Sequence, residues 1–391
     1  MYVAAKGGED AIQHAEALYH ALNGTVTPEL VHQILDHMPY LVDRVMGEGS
    51  LYAPELAALA LAQTGGDLYE AVLLLRAYRS TQPRIAYATA ITAADLLTVR
   101  RISAAFKDIP GGQVLGPTLD YSHRILDLDA LDGIAPTPTA PAAADQPAPR
   151  SYPAVADWLR GQGLMPPAQP DPTDPADLPD VTTDAVLFPA PRAHRLQALA
   201  RSETGGTLAL GYASMRGYGL VHPTVNELRL GYAEVGMTHP LTGEPFSAGR
   251  ARLSFGEVVN SGGSGDKRGF ALGFTATLGW NEVKLIAGST LDLEMSASDP
   301  HPAHTEEFVM YHTEPVESSG FCIHFKLPHY VTFASNLDAV RRVASLIYGE
   351  SESVSVGTHN NGSSADTASA AGTHNNASAV HDASAVSVEA S

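Results

Sequence analysis

The chain has 391 residues, of which 44% are hydrophobic and 17% charged, a composition typical of a globular protein with a buried core. Its 24 basic and 43 acidic residues leave a net charge of −19, which argues against nucleic acid and anionic membranes as partners. A single cysteine excludes an intramolecular disulfide and a cysteine-based metal site made by this chain alone. Without an apolar leader or a membrane-spanning apolar run, we expect a soluble, cytoplasmic protein.

The first 133 residues carry the start and stop signals of helices. Thr27 is followed by a proline and a glutamate, the usual order of a cap, a first-turn proline and a first-turn acid. Residues 54–80 contain two apolar helical stripes that are divided by Gly65-Gly66. We therefore predict a helical N-terminal domain over residues 1–133, with an antiparallel helix hairpin at 54–80.

Two segments have compositions that disfavour a core of their own. Residues 134–190 are rich in proline, alanine and aspartate, which favours an extended linker, interrupted by one short docking helix around Val155 to Leu159. Residues 350–391 are rich in serine and alanine and contain almost no large apolar side chains. Because such a segment cannot bury enough surface to fold, we predict a disordered tail.

Residues 191–349 mix helical and strand patterns. Alternating apolar residues predict two half-buried strands, and a glycine-rich stretch before the second is typical of a hairpin loop. The predicted elements are a helix at Arg192–Arg201, strands around Leu228–Tyr232 and Phe270–Ala276, a loop at Ser261–Gly269, and a last helix at Asn281–Met295. The fold class predicted is α+β, with an antiparallel sheet covered by helices in this C-terminal domain.

Short motifs that identify an enzyme class are absent. The chain has no G-x-x-x-x-G-K-[ST] phosphate loop, no G-x-S-x-G nucleophile elbow, no H-E-x-x-H helix and no G-x-G-x-x-G turn. Gly262–Lys267 has the composition of a phosphate loop without its spacing. Composition and generic motifs alone leave the activity undefined.

Basic residues concentrate between residues 100 and 124, in a chain that has few of them. Lys107 comes just before a Pro-Gly-Gly turn, and Arg124 ends the segment. Gly111 and Gly112 would let backbone N–H groups approach an anion closely. The pattern indicates an anion site, although the more conservative interpretation is a turn with basic side chains on a solvated or subunit-facing surface.

A second candidate is Arg216, which lies in Met215–Gly219 between flexible and aromatic positions. An arginine in this setting suits contact with an anion or with a stacked base. A turn that carries an interface arginine gives the same pattern, so both interpretations stay open.

A third candidate is the pair His324 and His329, whose spacing is within the usual range for histidines that bind zinc. Neither a helix nor a strand aligns two side chains at this offset. Pro328 favours an extended residue 327 and hence a bend that can bring the imidazoles together. Two ligands are too few for a closed site, so a third would come from another chain, a substrate or water; ordinary core or interface histidines are the alternative.

Several segments together resemble one protein family from residue 1 to about 345. They look like the PhnI subunits of the bacterial carbon–phosphorus lyase complex, and the match is more specific than any single short motif. The matching segments are Met1–Gly8, Val42–Met46, Glu55–Leu61, Leu74–Arg79, Arg100–Ser103, Lys107–Gln113, Arg216–Gly219 and Lys326–Val331. The proline-rich expansion near 165–180, the 261–269 loop and the tail depart from the family pattern without falling on these segments.

The resemblance implies a subunit that works with partners G, H and J and with the ATP-binding-cassette subunits L and K. Together such subunits displace adenine from MgATP by attack of a phosphonate oxygen on the anomeric carbon, which yields α-D-ribose 1-methylphosphonate 5-triphosphate for phosphonate catabolism. It also implies that this subunit cleaves the N-glycosidic bond and acts as a nucleosidase when alone. The family's histidine pair falls on His324 and His329 and implies a zinc ion at the contact with subunit J.

This implied chemistry suggests roles for particular residues. Displacing adenine passes through an oxocarbenium-like state that needs anionic stabilisation and a proton for the departing base. The candidate catalytic carboxylates are Asp108, Asp120, Glu306 and Glu307, among which the sequence does not choose. The candidates for holding triphosphate and phosphonate oxygens are Lys107, Gly111, Gly112, Arg124, Arg216 and Lys326. Magnesium enters as MgATP, since this acidic protein repels bare ATP.

Three hypotheses therefore compete. The first is a catalytic subunit for phosphonate ribosylation. The second is a non-catalytic scaffold of the same complex, with an interface zinc. The third and weakest is an independent metal-binding or storage protein, suggested by 16 histidines.

Overall fold

The computed structural model describes residues 8–134, 152–168, 178–213, 215–216, 222–261, 269–327 and 329–349. The predicted tail at 350–391 and residues 262–268 of the predicted hairpin loop lie outside these ranges. The chain divides into two compact units, one on each side of the bond between residues 328 and 329.

Five helices open the first unit, and the capping signals set their ends. The Thr27 hydroxyl accepts a hydrogen bond from the Leu30 N–H at 3.3 Å, and Asp67 accepts from two backbone N–H groups, as predicted. Val42, Met46 and Leu61 belong to the buried core between these helices. The helices are α1 Gly8–Asn23, α2 Pro28–His37, α3 Pro39–Gly49, α4 Pro54–Gln63 and α5 Leu68–Ser80.

A four-stranded antiparallel sheet forms the centre of the first unit. The strands, in their spatial order, are β1 Leu97–Ile102, β2 Thr224–Thr238, β3 Pro245–Ser261 and β4 Phe270–Leu278. Ser261 pairs with Phe270, so β3 and β4 form the predicted hairpin. The sheet beside an N-terminal group of helices confirms the predicted α+β class.

Strand β1 corrects the prediction that residues 1–133 are all helical. It pairs with β2, which lies in the C-terminal half of the sequence. Two of its six residues, Arg100 and Arg101, are buried at 1% and 0% exposure. Because its buried positions carry charge, the strand lacks the apolar alternation that would have revealed it.

The short helix in the proline-rich segment, α6 Val155–Gly161, docks on this chain's own sheet. Val155 and Leu159 are fully buried, and they share a core with Val259 of β3 and Phe270 of β4. The predicted helix is therefore present, and its apolar face is covered by this chain.

Three more helices pack around the sheet: α7 Arg192–Arg201, α8 Thr204–Ala213 and α9 Glu282–Met295. Helix α9 packs so closely on the sheet that a Cβ at Gly273 would overlap the Ser289 carbonyl oxygen. Asn281 caps α9 by accepting from the Lys284 N–H at 3.2 Å, so the predicted start is confirmed.

The prediction that this is the last helix is wrong. Helices α10 Glu306–His312 and α11 Pro315–Lys326 follow in the first unit, and α12 Tyr330–Tyr348 follows in the second. Helix α11 buries only Pro315 and α12 buries no residue. The apolar residues Phe333, Leu337, Val340 and Ile347 of α12 recur at helical spacing, so this helix could have been predicted from the sequence.

In the second unit, α12 exposes a long series of large apolar side chains. They are Tyr330, Val331, Phe333, Leu337, Val340, Val343, Leu346, Ile347 and Tyr348. Neither α12 nor any other helix within the described ranges combines the length and the apolar character needed to cross a membrane.

Candidate functional site

The side chain of Arg101 ties the predicted glycine turn to the sheet. It is fully buried, and its Nε forms an ion pair with Glu227 of β2. Nη1 donates to the carbonyls of Pro110 at 2.8 Å and Gly112 at 2.6 Å, and Nη2 donates to Pro153 at 2.9 Å. One guanidinium thus fixes the turn, the sheet and the approach to α6 relative to one another.

The turn itself depends on two glycines in the left-handed backbone region, with φ of +84° at Gly111 and +80° at Gly112. A Cβ at Gly111 would come within 2.9 Å of the Tyr152 ring. The Gln113 amide donates to the Lys107 carbonyl at 3.1 Å, and this hydrogen bond joins the two ends of the turn. Lys107 and its neighbour Asp108 have exposed side chains at this rim.

A carboxylate lies between two arginines at the surface beside β1. Arg100, 1% exposed, forms ion pairs with Asp120 and, through Nε at 2.5 Å, with Glu282 of α9. Arg124 Nη2 lies 3.8 Å from the other Asp120 oxygen. Side-chain exposure rises from 46% at Asp120 to 68% at Arg124, so the acid is anchored from the interior and open to solvent on its far side. Burial raises the pKa of Glu282, against the effect of Arg100.

Arg124 has a left-handed backbone, with φ of +53°. A non-glycine residue in this region is uncommon and costs conformational energy. Such strain is frequent at functional sites, and here it falls on a predicted phosphate-binding side chain. We call Arg100, Asp120, Arg124 and Glu282 the candidate substrate site. The turn at 107–113 is a separate candidate, because Arg100 and the Arg101 that holds the turn are successive residues of β1 and point to opposite faces of the sheet.

Two of the predicted catalytic carboxylates, Glu306 and Glu307, lie in the first turn of helix α10. Glu306 accepts a hydrogen bond from the Ala190 N–H at 3.1 Å and lies 3.4 Å from Arg195 of α7. These contacts make Glu306 an anchor between α10 and the preceding elements. Glu307 is exposed in the first turn of α10.

Arg216 is exposed and contacts Tyr212 of α8. Its Nη1 lies 3.3 Å from the tyrosine hydroxyl, and its guanidinium lies 5.7 Å from the ring centre. Residue 214 and residues 217–221 lie outside the described ranges, so the structure gives no further position for the Met215–Gly219 segment.

The predicted metal ligands lie in two different units, one in helix α11 and the other just before helix α12. His324 is in the last turn of α11, close to Lys326, and His329 is the residue just before α12; all three are exposed. Leu327 is extended, with φ of −70° and ψ of 151°, as predicted for the residue before a proline. Across the described ranges no three His, Cys, Asp or Glu side chains are grouped so as to hold a metal ion.

Comparison with known proteins shows to which family the chain belongs. The model of the family "Bacterial phosphonate metabolism protein (PhnI)" matches residues 1–346. The chain belongs to the PhnI family. Its relatives include a putative C-P lyase subunit protein, HtxH, of Stutzerimonas stutzeri, which is 44% identical over 87% of this chain and 95% of that protein.

Two further PhnI relatives carry a more specific name, the alpha-D-ribose 1-methylphosphonate 5-triphosphate synthase subunit PhnI. The protein of Escherichia coli strain K12 is 41% identical over 88% of this chain and 98% of its own length. The protein of Rhizobium meliloti strain 1021 is 40% identical over 88% of this chain and 95% of its own length. The sequence-based recognition of the PhnI family is confirmed.

Sequence reasoning missed two residues of this PhnI chain, one that positions the candidate substrate site and one that positions the turn at 107–113. Glu282 holds Arg100 from α9, and Glu227 holds Arg101 from β2. Both contacts join positions more than a hundred residues apart, which no local pattern encodes. The signal that the sequence offered was the Arg100-Arg101 pair. If two adjacent arginines become buried on folding, acidic partners must come from elsewhere in the chain.

Proposed function

We propose that this chain acts within a complex that displaces adenine from MgATP with a phosphonate and makes α-D-ribose 1-methylphosphonate 5-triphosphate. The names of the relatives from Escherichia coli and Rhizobium meliloti, which describe subunits of a synthase of this product, support the proposal. So does the match of the family over residues 1–346, which includes every candidate residue.

The proposed reaction is a substitution at the anomeric carbon of the ATP ribose. A phosphonate oxygen forms a bond to this carbon, the bond to the adenine nitrogen breaks, and adenine leaves after taking up a proton. The sugar passes through an oxocarbenium-like state, which a nearby carboxylate stabilises. Magnesium is part of the MgATP substrate and reduces its repulsion by the acidic protein.

Asp120 is the carboxylate best suited to face the developing positive charge, and its geometry is the observation that carries the proposal. Arg100 fixes it from the interior, while 46% of its side chain is exposed to an incoming ligand. Glu306 is already used to anchor α10. Asp108 and Glu307 are exposed and have no comparable buried anchor among the ion pairs that the structure describes. Preorganised charge of this kind is effective because it needs no rearrangement during reaction.

Phosphate and phosphonate oxygens would bind to Arg124 beside Asp120 and to Lys107 on the turn at 107–113. Arg124 contacts Asp120 and is 68% exposed, and Lys107 is exposed on the braced turn. The backbone of Gly111 and Gly112 can approach an oxyanion without hindrance from a side chain. Arg216 and Lys326 are proposed for the same role on their exposure alone.

We also propose that His324 and His329 bind zinc together with a ligand from a partner subunit. Imidazole nitrogens are good zinc ligands, and two of them leave positions for a partner residue or a substrate oxygen. A zinc ion bound there would supply a structural clamp or a Lewis acid for a phosphate oxygen. The residues of this chain would hold the ion and orient it at the interface.

The partners that we propose are subunits G, H and J, and the ATP-binding-cassette subunits L and K. The word "subunit" in the names of the relatives supports an assembly. The exposed apolar residues of α12 support it too, since a monomer rarely leaves so many on one helix.

The alternative is a scaffold subunit of the same complex that carries out no chemistry. The observation that favours it is again α12, whose exposed apolar residues suit docking. The carboxylate of this helix, Asp338, forms a surface ion pair with Arg341 and is not a catalytic candidate. In that case catalysis would lie in a partner, and the ion pairs of the candidate substrate site would only stabilise the fold.

The function is tested by measuring adenine released from MgATP and methylphosphonate by the reconstituted subunits. We expect release that depends on the phosphonate and on this chain, and slow adenine release from ATP by the chain alone. A complex of native composition that releases no adenine would contradict the proposed reaction. Release that is unchanged when this chain is omitted would contradict its catalytic role.

A further inference from the structure

Residues 119–134 form a surface segment of the first unit in which every residue is exposed. We call this segment the arm. Its hydrogen bonds within the described ranges are local, such as those from the Ser122 N–H and hydroxyl to the Leu119 carbonyl. The ion pair between Asp120 and Arg100 attaches the beginning of the arm to β1. Beyond Arg124, no hydrogen bond or ion pair among the described residues attaches the arm to the rest of the unit.

The arm exposes a contiguous group of large apolar side chains. Leu126 and Leu131 are 85% and 84% exposed, respectively. Single apolar side chains on a surface are ordinary, whereas a contiguous group of them marks an interaction surface. The group includes Tyr121, Ile125, Leu126, Leu128, Leu131 and Ile134.

A short 3₁₀ helix in the arm, Leu128–Asp132, separates apolar from acidic side chains. Side chains three residues apart eclipse one another in a 3₁₀ helix. Leu128 and Leu131 therefore share one row of this helix. Asp129 and Asp132 share the adjacent row, so the arm presents an apolar row beside an acidic one.

The charge of the arm indicates what kind of surface complements it. Residues 125–134 contain three aspartates and no basic residue. Asp127, Asp129 and Asp132 form no ion pair among the residues that the structure describes. A second copy of this chain would bring a protein of net charge −19 against the acidic row, and like charges disfavour that contact. A surface with an apolar groove and a basic rim complements both rows.

We propose that the arm docks into an apolar groove with a basic rim on a partner protein. In such a contact the apolar side chains are the anchors, and the charges select the partner and speed its approach. The inference rests on the proposed assembly and names the segment through which this chain joins it. Because Asp120 and Arg124 belong to the arm, docking would also hold these two residues of the candidate substrate site in place.

The test is the association of the full chain with the other purified subunits of the reconstituted complex, measured by biolayer interferometry without ATP. We expect Leu128→Ser/Leu131→Ser to weaken this association at least about tenfold, because it removes two apolar anchors. The matched control is Leu241→Ser, which changes an 89% exposed leucine in the turn between β2 and β3 and should leave the affinity unchanged. Native affinity of the Leu128→Ser/Leu131→Ser chain would overturn the proposal.

A charge reversal tests the basic rim of the proposed groove. Asp129→Lys/Asp132→Lys should weaken association at least about tenfold at low salt and much less at high salt, because salt screens the contact. Asp36→Lys, at an exposed position of α2, is the control and should bind as the native chain does. If the Asp129→Lys/Asp132→Lys chain keeps the native affinity and salt dependence, the partner surface is not basic and the assignment is wrong.

Two measurements on the isolated chain separate docking from folding and from self-association. The arm is exposed, so its variants should have the native Tm, and a clearly lower Tm would show that the arm packs on its own chain and would refute the proposal. Light scattering should give the same mass for the native and Leu128→Ser/Leu131→Ser chains. A dimer that this variant dissociates would identify a second copy as the occupant and would also refute it. Because the association assay contains no ATP, its result stands whether or not the complex releases adenine.

Discussion

Glu227 of β2 and Glu257 of β3 are direct partners in the register of the sheet. Glu227 is compensated by ion pairs with Arg101 and Arg229, whereas Glu257 accepts a hydrogen bond from the Asn226 amide at 2.7 Å. Burial, followed by repulsion from Glu227, raises the pKa of Glu257 to about 7. Like charges placed opposite each other destabilise a sheet, so this pair makes the stability of the protein depend on pH.

The first prediction concerns Glu257→Gln. In the unfolded chain this glutamate has its ordinary pKa of 4.5, so it loses its proton at a lower pH there than in the folded chain. The native free energy of unfolding should therefore fall as the pH rises from about 4.5 to 7, and then level off. Glu257→Gln should abolish this contribution and be more stable at pH 8 by about 3 kcal/mol. Urea denaturation between pH 5 and 8 measures it; a native-like pH profile in the variant would contradict the assignment.

The second prediction concerns Arg101→Lys. An ammonium cannot replace the planar fork that reaches Glu227, Pro110, Gly112 and Pro153 at once. We expect a loss of about 3 kcal/mol in the free energy of unfolding, because Glu227 and several carbonyls lose a buried partner. Denaturant titration measures this loss. The control Arg250→Lys, at an exposed position, should change stability by less than about 0.5 kcal/mol, and an equally small effect at Arg101 would show that the network is dispensable.

Local signals in the sequence were enough for much of the fold. Thr27, Asp67 and Asn281 cap helices where they were predicted to, because a cap is a matter of a few neighbouring residues. The strands around Leu228 and Phe270 were also predicted, since their apolar residues alternate.

The parts of the fold and of the candidate site that the sequence did not predict depend on contacts between distant parts of the chain. Strand β1 carries buried arginines whose acidic partners come from other elements, so its own residues gave no strand pattern. Of the candidate site, the sequence predicted Asp120 and Arg124 but not Glu282, which reaches Arg100 from α9. Helix α11 was missed because its apolar residues follow no helical spacing, whereas those of α12 do and could have been recognised in the sequence.

The third prediction concerns zinc. In the purified assembly we expect about one zinc ion per copy of this chain, and its loss in both His324→Ala and His329→Ala. The control is His20→Ala, an exposed histidine of α1. Elemental analysis of the assembled complex measures the metal. Full zinc content in both histidine variants would show that the pair is not its site.

The fourth prediction concerns docking through α12. Val343 is 54% exposed in this chain, so Val343→Asp should leave the Tm of the isolated chain unchanged. We expect the same change to weaken association with partner subunits at least about tenfold, since it places a charge in an apolar contact. Ser345→Asp, on another face of the same helix, is the matched control. Unaltered assembly of Val343→Asp, measured by size-exclusion chromatography and light scattering, would exclude this face as an interface.

The most direct measurement of the central claim is adenine release by the reconstituted complex that carries Asp120→Asn. The amide retains the size of the side chain but removes the negative charge held by Arg100. If Asp120 stabilises the oxocarbenium-like state, release should fall at least about 100-fold while the size of the complex is unchanged. Asp157→Asn, an exposed carboxylate of α6, should release adenine at the native rate. Native-rate release from an intact Asp120→Asn complex would contradict the account and favour the scaffold hypothesis.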